Sequence, residues 1–263
     1  MEALQMLKTS KIFILSVIMS LIVAAPSLAA KSVMDRTVIR VGTEATYPPF
    51  EYRSEKNEIV GYDIDVVKAL GAHLGKDVEL VDMSFDGLIP ALLTGKIDMI
   101  AAGMTNTEER RKKVDFSDVY YEIENAFVTK SDDESISKIE DLADKVATVQ
   151  IGTAQDIFIT NTKLPKEIKR FQKNDDALRE VLLGRSDFCV VNLTVANAYL
   201  RNNDAFGSTL KIGFRNFIHK QGEGIALAIP KGDTTFQEAL NKVLDEMKKS
   251  GELLGLKKRY QID

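Results

Sequence analysis

From residue 37 onward, short runs rich in β-branched and other apolar residues alternate with stretches whose apolar side chains recur every three or four positions. The first spacing suits strands and the second suits helices with one buried face, so the chain reads as repeated βαβ units. A strand is predicted over 37–41. A helix follows over 62–74, where Ile64, Val67, Leu70 and Leu74 share a face and Gly75 supplies the stop. Strand 77–81, helix 85–93 closed by Gly95, strand 97–101 and a short charged helix capped by Thr107 complete a first half. The second half repeats the design. Ser137 and Glu140 have the spacing of a capping box, 146–149 reads as a strand, and 154–160 and 175–183 read as helices, the latter stopped by Gly184. A strand over 187–191 and a helix over 193–201 come next, then a late strand over 224–229 and two final helices over 234–260, broken at Gly251.

The extended segment 125–130 and the polar run 131–137 mark one boundary between the halves, and 221–223 marks a second. Two crossings make the first lobe discontinuous: 30–122 completed by 222–263, with 123–221 inserted as the other lobe. The expected fold class is therefore α/β with two lobes, each a mostly parallel sheet flanked by helices, joined by two hinge strands. A cleft between such lobes opens and closes by hinge bending.

Composition narrows the function. Of 263 residues, 44% are hydrophobic and 28% charged, enough apolar material for packed cores. The 35 basic residues are scattered against 39 acidic ones, a formal charge of −4, which argues against nucleic acid as a partner. Cys189 is the single cysteine, and His73 and His219 lie far apart, so neither an internal disulfide nor a metal-ligand cluster is expected, and no cofactor. Cys189 sits in an apolar run and reads as a small buried hydrophobe. Both histidines lack a partner in sequence. At the N-terminus, Lys8 and Lys11 precede an apolar stretch, 12–25, after which Ser27, Leu28 and Ala29 offer a cleavage site. Residues 1–29 are thus expected to be a cleavable export signal rather than a bilayer span, which needs about 20 apolar residues. No cysteine follows the apolar run to carry a lipid anchor. A soluble, periplasmic, mildly acidic monomer is the expectation.

In open α/β sheets, ligands bind beyond the carboxyl ends of strands, where loops and helix N-termini converge. The residues there are Glu44 and Tyr47, then Phe85, then Gly103, Thr105 and Arg110, and in the second half Gln150, Thr153, Ala154 and Asn192. This set holds aromatic faces, an acid, an arginine, hydroxyls and carboxamides, but no nucleophile paired with a histidine. It suits holding a small polar ion better than breaking a bond. Taken singly, Arg110 also reads as one charge on the solvated face 108–113, and Tyr47 and Phe85 as core aromatics.

Five segments resemble bacterial periplasmic amino-acid-binding proteins, the family 3 solute-binding proteins of polar amino-acid ABC transporters. They are Gly42-Thr43-Glu44-Ala45-Thr46-Tyr47-Pro48-Pro49-Phe50-Glu51-Tyr52 and Gly61-Tyr62-Asp63-Ile64-Asp65, then Phe85-Asp86-Gly87-Leu88-Ile89-Pro90-Ala91-Leu92, then Gly103-Met104-Thr105-Asn106-Thr107-Glu108-Glu109-Arg110 leading to Val114-Asp115-Phe116-Ser117, and Gln150-Ile151-Gly152-Thr153. The resemblance implies a type II periplasmic binding fold, two lobes closing on one amino acid and delivering it to the membrane subunits of an ABC permease. It implies that Arg110 and Thr105 meet the ligand α-carboxylate, joined by the helix start at Thr153 and Ala154, while the Gly103 carbonyl meets the α-ammonium. Tyr47 and Phe85 would stack on the ligand side chain, with Glu44 and Gln150 at its far end. Arginine is the first ligand expected; glutamine, lysine and histidine stay open.

Asn192 stands where the family usually places an aspartate against the ammonium. It keeps an acceptor but loses the charge, which leaves Glu44 or Asp156 to compensate, or points to a ligand other than an ordinary α-amino acid; alternatively Asn192 only caps the next helix. The alternatives to a receptor are a cyclohexadienyl dehydratase-like lyase, with Asp156 or Glu44 as a desolvated proton donor, and a sensory or adhesive solute-binding protein. No enzymatic activity is expected.

Overall fold

The computed structural model describes residues 32–262, and the expected export signal lies outside them. Strand β1 (Val38–Thr43) leads into a small three-stranded sheet of β2 (Thr46–Tyr47), β3 (Glu51–Arg53) and β4 (Ile59–Val60). Helix α1 (Tyr62–Leu74) follows, capped by Gly75 in the left-handed region. Then come β5 (Asp77–Asp82), α2 (Phe85–Leu93), β6 (Met99–Ile100), the single turn α3 (Glu108–Arg111) and β7 (Asp115–Phe116). The chain continues through β8 (Asn125–Lys130), β9 (Val146–Gln150), α4 (Ala154–Thr162), β10 (Glu167–Phe171), α5 (Asn174–Leu182), β11 (Phe188–Asn192), α6 (Leu193–Asn202), α7 (Asp204–Thr209) and β12 (Leu210–Asn216). It closes with β13 (Ala228–Ile229), α8 (Thr234–Ser250) and α9 (Glu252–Arg259).

Two five-stranded sheets organise the described residues, in the orders β5-β1-β6-β13-β7 and β10-β9-β11-β8-β12. In each, the first two pairings are parallel and the last two antiparallel. Four of the five strands in each sheet therefore run in one direction, as expected of a mostly parallel sheet, and the reversed strand is β13 in the first and β8 in the second. Strands β8 and β13 each enter from the other sheet by a direct crossing rather than through a helix, so they run opposite to their neighbours. The crossings lie side by side: Ile225 N donates to Tyr121 O at 2.8 Å and Tyr120 N donates to Ile225 O at 3.1 Å. After the second crossing, the C-terminal helices return to α1, where Arg259 Nη1 and Tyr260 OH donate to Asp65 Oδ2 at 2.7 and 2.8 Å.

Three local expectations are corrected. The strand expected over 97–101 narrows to Met99–Ile100 because the neighbouring β13 pairs with it only at Ile100. The strand expected over 224–229 is regular only at its end, the rest being the irregular crossing between the sheets. Ser137 is held not by Glu140 but by Asp141, whose carboxylate accepts from Ser137 N and Oγ at 2.9 Å in a 3-10 turn over Ile139–Leu142. The tighter winding of that turn brings a different acid to the cap. His73, at the end of α1, finds a partner contributed by distant sequence: its Nε2 is 3.1 Å from Glu252 Oε2. Cys189 is fully buried, and burial pushes its thiol up to about 12.

Candidate functional site

The carboxyl ends of the two sheets' parallel strands face one another across a space of about 410 Å³. Glu44 follows β1 and is 5% exposed. One of its oxygens accepts from the Thr46 hydroxyl, and Oε2 accepts from Gln150 Nε2 of the opposite sheet at 3.2 Å. Burial raises its carboxyl to about 7. Tyr47 in β2 lays its ring over Gly103, whose φ of +54° suits glycine; a methyl group there would come 2.5 Å from Tyr47 Cε1. The amide of Gly103 donates to Asp63 Oδ2 at 2.8 Å.

Arg110 is 6% exposed, and Thr107 starts its turn by capping. Its Nη1 donates to Thr105 O at 2.8 Å and its Nη2 to Gly152 O at 2.9 Å, with the Phe85 ring centroid 5.3 Å from Cζ. Burial lowers the guanidinium to about 10, so it stays charged at neutral pH. The second of these bonds brings the cation to the start of α4. There the Thr153 Oγ1 accepts from Asp156 N at 3.1 Å and donates to Gln150 O at 2.8 Å, fixing the first turn. A planar cation beside a helix N-terminus is a place for an anion.

Opposite, Gln150 is held at both ends of its amide: Nε2 also donates to Gln172 O at 2.8 Å and Oε1 accepts from Asn174 Nδ2 at 2.6 Å. Glu44, Tyr47, Phe85, Gly103, Thr105, Arg110, Gln150, Thr153 and Ala154 all line the space. Asn192 does not; it is 2% exposed and its Oδ1 accepts from Thr194 N at 2.8 Å as the cap of α6. Asp156 is taken up elsewhere, with Arg170 Nε donating to its Oδ1 at 2.9 Å and Gly152 N to its Oδ2 at 3.2 Å. It supplies no charge to the space. Among the described residues, no group of three or more histidines, cysteines or acids gathers to hold a metal.

Asn174, Gln155, Ile123, Ala102 and Val191 also line the space and were not singled out in the sequence. A signal existed for Asn174. It opens the helix after β10, a strand overlooked because 167–171 carries three charges and only two apolar residues. Assigning that strand places Asn174 in the strand-end set.

The model of bacterial extracellular solute-binding proteins, family 3, matches residues 39–262. The chain belongs to that family. This family 3 protein is 37% identical over 223 residues to the arginine-binding extracellular protein ArtP of Bacillus subtilis (strain 168), covering 84% of each. It is 31% identical over 247 residues to the histidine-binding periplasmic protein of Escherichia coli (strain K12), covering 92% of this chain and 94% of that one. Among solved structures, an ancestral arginine-binding protein bound to arginine aligns with a TM-score of 0.80 and 41% identity, over 86% of this chain and 98% of that one. An ancestral amino-acid-binding protein described as a precursor of cyclohexadienyl dehydratase aligns with a TM-score of 0.76 and 37% identity, over 87% and 97%. The neighbours share the two-lobed type II periplasmic binding fold, which is the architecture expected from the sequence. No helix among the described residues is long and apolar enough to cross a membrane.

Proposed function

We propose that this protein is a periplasmic receptor that closes on a polar or basic amino acid, arginine first, and delivers it to the membrane subunits of an ABC permease. In this reading, residues 1–29 are the cleaved export signal, 30–122 with 222–263 form one lobe and 123–221 the other. The observation that carries it is the 2.9 Å bond from Arg110 Nη2 to Gly152 O, which brings a buried cation from one sheet to the helix start of the other. A ligand carboxylate replacing that carbonyl would bond to both sides at once, so occupancy and closure are coupled. Glu44, at about 7, sits at the other end, where a guanidinium flanked by the Tyr47 and Phe85 rings would hold it ionised. The names of the relatives, arginine-binding and histidine-binding, support the same ligand class.

Thermal shift against the twenty amino acids, citrulline, ornithine and simple dicarboxylates tests this directly. Arginine at 100 times its Kd should add about 2.7 kcal/mol of stability. A flat response across the panel refutes the receptor.

Glu44 separates arginine from glutamine. A cationic side chain lowers the Glu44 carboxyl from about 7, so binding below neutral pH expels its proton and affinity falls as pH drops. Between pH 7.5 and 5.5 arginine should weaken by about tenfold, the equivalent of one pKa unit, while glutamine stays level. Calorimetric titration of the parent and Glu44→Gln checks this, and the variant should lose the slope. A lyase reading remains attached to the same carboxyl as a desolvated acid; release of phenylpyruvate from prephenate by purified protein would establish it.

A further inference from the structure

Beneath the Gly103 backbone lies a second layer of acids with no role in the mechanism above. Glu51 in β3 is 1% exposed and Asp63 in the first turn of α1 is fully buried. Both Glu51 carboxyl oxygens, Asp63 Oδ1 and the hydroxyls of Tyr62 and Tyr120 are buried without a hydrogen-bond partner within bonding distance. Asp63 Oδ2 accepts from Gly103 N at 2.8 Å, and the Tyr120 hydroxyl and the Glu51 carboxyl face Asp63. The groups facing the pair are Glu44 just after β1, Tyr47 from β2, Tyr62 from α1 and Tyr120 from the first crossing. None is a cation. Lys257 lies beyond Tyr121, with its Nζ 4.8 Å from that ring's centroid. Tyr121 in turn packs edge-on to Phe50 and Tyr62 at 5.2 and 6.4 Å.

Two carboxylates in such a place, with neither solvent nor a counter-charge, cannot both stay ionised. We propose that Glu51 and Asp63 share a single proton, and that the one negative charge left to the pair holds the Gly103 amide, and with it the floor of the cleft, in position. The proton stays with Glu51, which has no donor pointed at it, and the charge stays with Asp63, which has the Gly103 amide. Burial raises both carboxyls, Asp63 to about 6 and Glu51 further, in keeping with this division. Asp63 is thus a positioning residue. It orients a glycine that lines the cleft under the Tyr47 ring, and it places a negative charge behind that glycine.

The inference rests on the receptor reading only for its effect on affinity, and its main readouts need no ligand. Infrared spectra of the ligand-free protein at about pH 8.5, where Glu44 is ionised, should show one protonated carboxyl band, which Glu51→Gln removes and Glu44→Gln leaves. The Gly103 amide proton, followed by NMR, should lie far downfield and move upfield in Asp63→Asn. Arginine should bind Asp63→Asn about tenfold more weakly than the parent. No band in the parent, or a band that survives Glu51→Gln, overturns the shared proton. An unmoved Gly103 amide in Asp63→Asn overturns the positioning. If Glu51→Gln does not fold, the parent band alone decides, because no other acid facing this cleft should be protonated at that pH. If neither arginine nor any other amino acid of the panel binds these proteins while both spectral signatures hold, the receptor reading fails and the proton pair stands.

Discussion

Arg110→Ala should abolish ligand binding, raising the Kd for arginine by at least about a hundredfold. The guanidinium is 6% exposed and already spends two donors on the carbonyls of Thr105 and Gly152. Its charge, its remaining donors and the Nη2 donor that the Gly152 carbonyl gives up are what an incoming carboxylate meets. Removing it leaves that carboxylate desolvated beside α4 with no cation, a loss of about 3 to 5 kcal/mol for one partner of a buried pair. Arg110→Lys should recover little, because an ammonium lacks the planar fork that spans two acceptors. The ligand-free protein should lose little stability, since burial already penalises this cation and lowers it to about 10. Calorimetric titration with arginine, read beside the melting temperature of the ligand-free variant, separates the two effects. Binding of Arg110→Ala within threefold of the parent would place the carboxylate elsewhere.

Gly61→Ala should lower the melting temperature of the ligand-free protein by about 10 °C. Gly61 precedes α1 with φ +137° and ψ 175°, a region open essentially to glycine alone. An added methyl group would lie 2.1 Å from Phe50 O and 2.5 Å from Phe50 C, against backbone that cannot rotate away. That backbone is tied to the helix start, because Tyr62 N donates to Pro49 O and Asp63 N to Phe50 O, both at 2.9 Å. Strain and broken bonds together cost about 3 kcal/mol or more, and a domain of this size loses roughly 2 to 4 °C per kcal/mol. The same displacement would shift Tyr47 and Asp63, so arginine affinity should fall with stability. Gly255→Ala is the control: it sits in α9 with open space at the Cβ position, and it should leave the melting temperature unchanged or raise it slightly. Differential scanning calorimetry of the two variants measures both.

Helix α1 shows why part of this structure is legible in the residues themselves. Its apolar spacing, its glycine stop and its length are local, and the segment read as 62–74 is Tyr62–Leu74 in the fold. The strand-end rule worked for a similar reason: once Glu44, Gly103 and Gln150 are seen to follow strands, the sheet brings them together whatever their separation in sequence. The hairpin of β2, β3 and β4 escaped because its strands are two or three residues long, too short for a period to register. Asp156 shows the limit in the site. Its position at a helix start suggested a charge for the ligand, and only the fold supplies Arg170, fourteen residues away, to occupy it.

Residue order along this chain therefore determined the alternation of strands and helices, the places where they stop, and which side chains stand at the ends of strands, since each depends on neighbours within a turn or two. The tertiary structure alone decided that one strand of each sheet runs against the other four, that Arg110 reaches the opposite helix, and that Glu51 and Asp63 are sealed in together behind Gly103. Those outcomes turn on contacts between distant segments and on exclusion of water, and a carboxylate's chemistry changes only when the rest of the chain has closed around it.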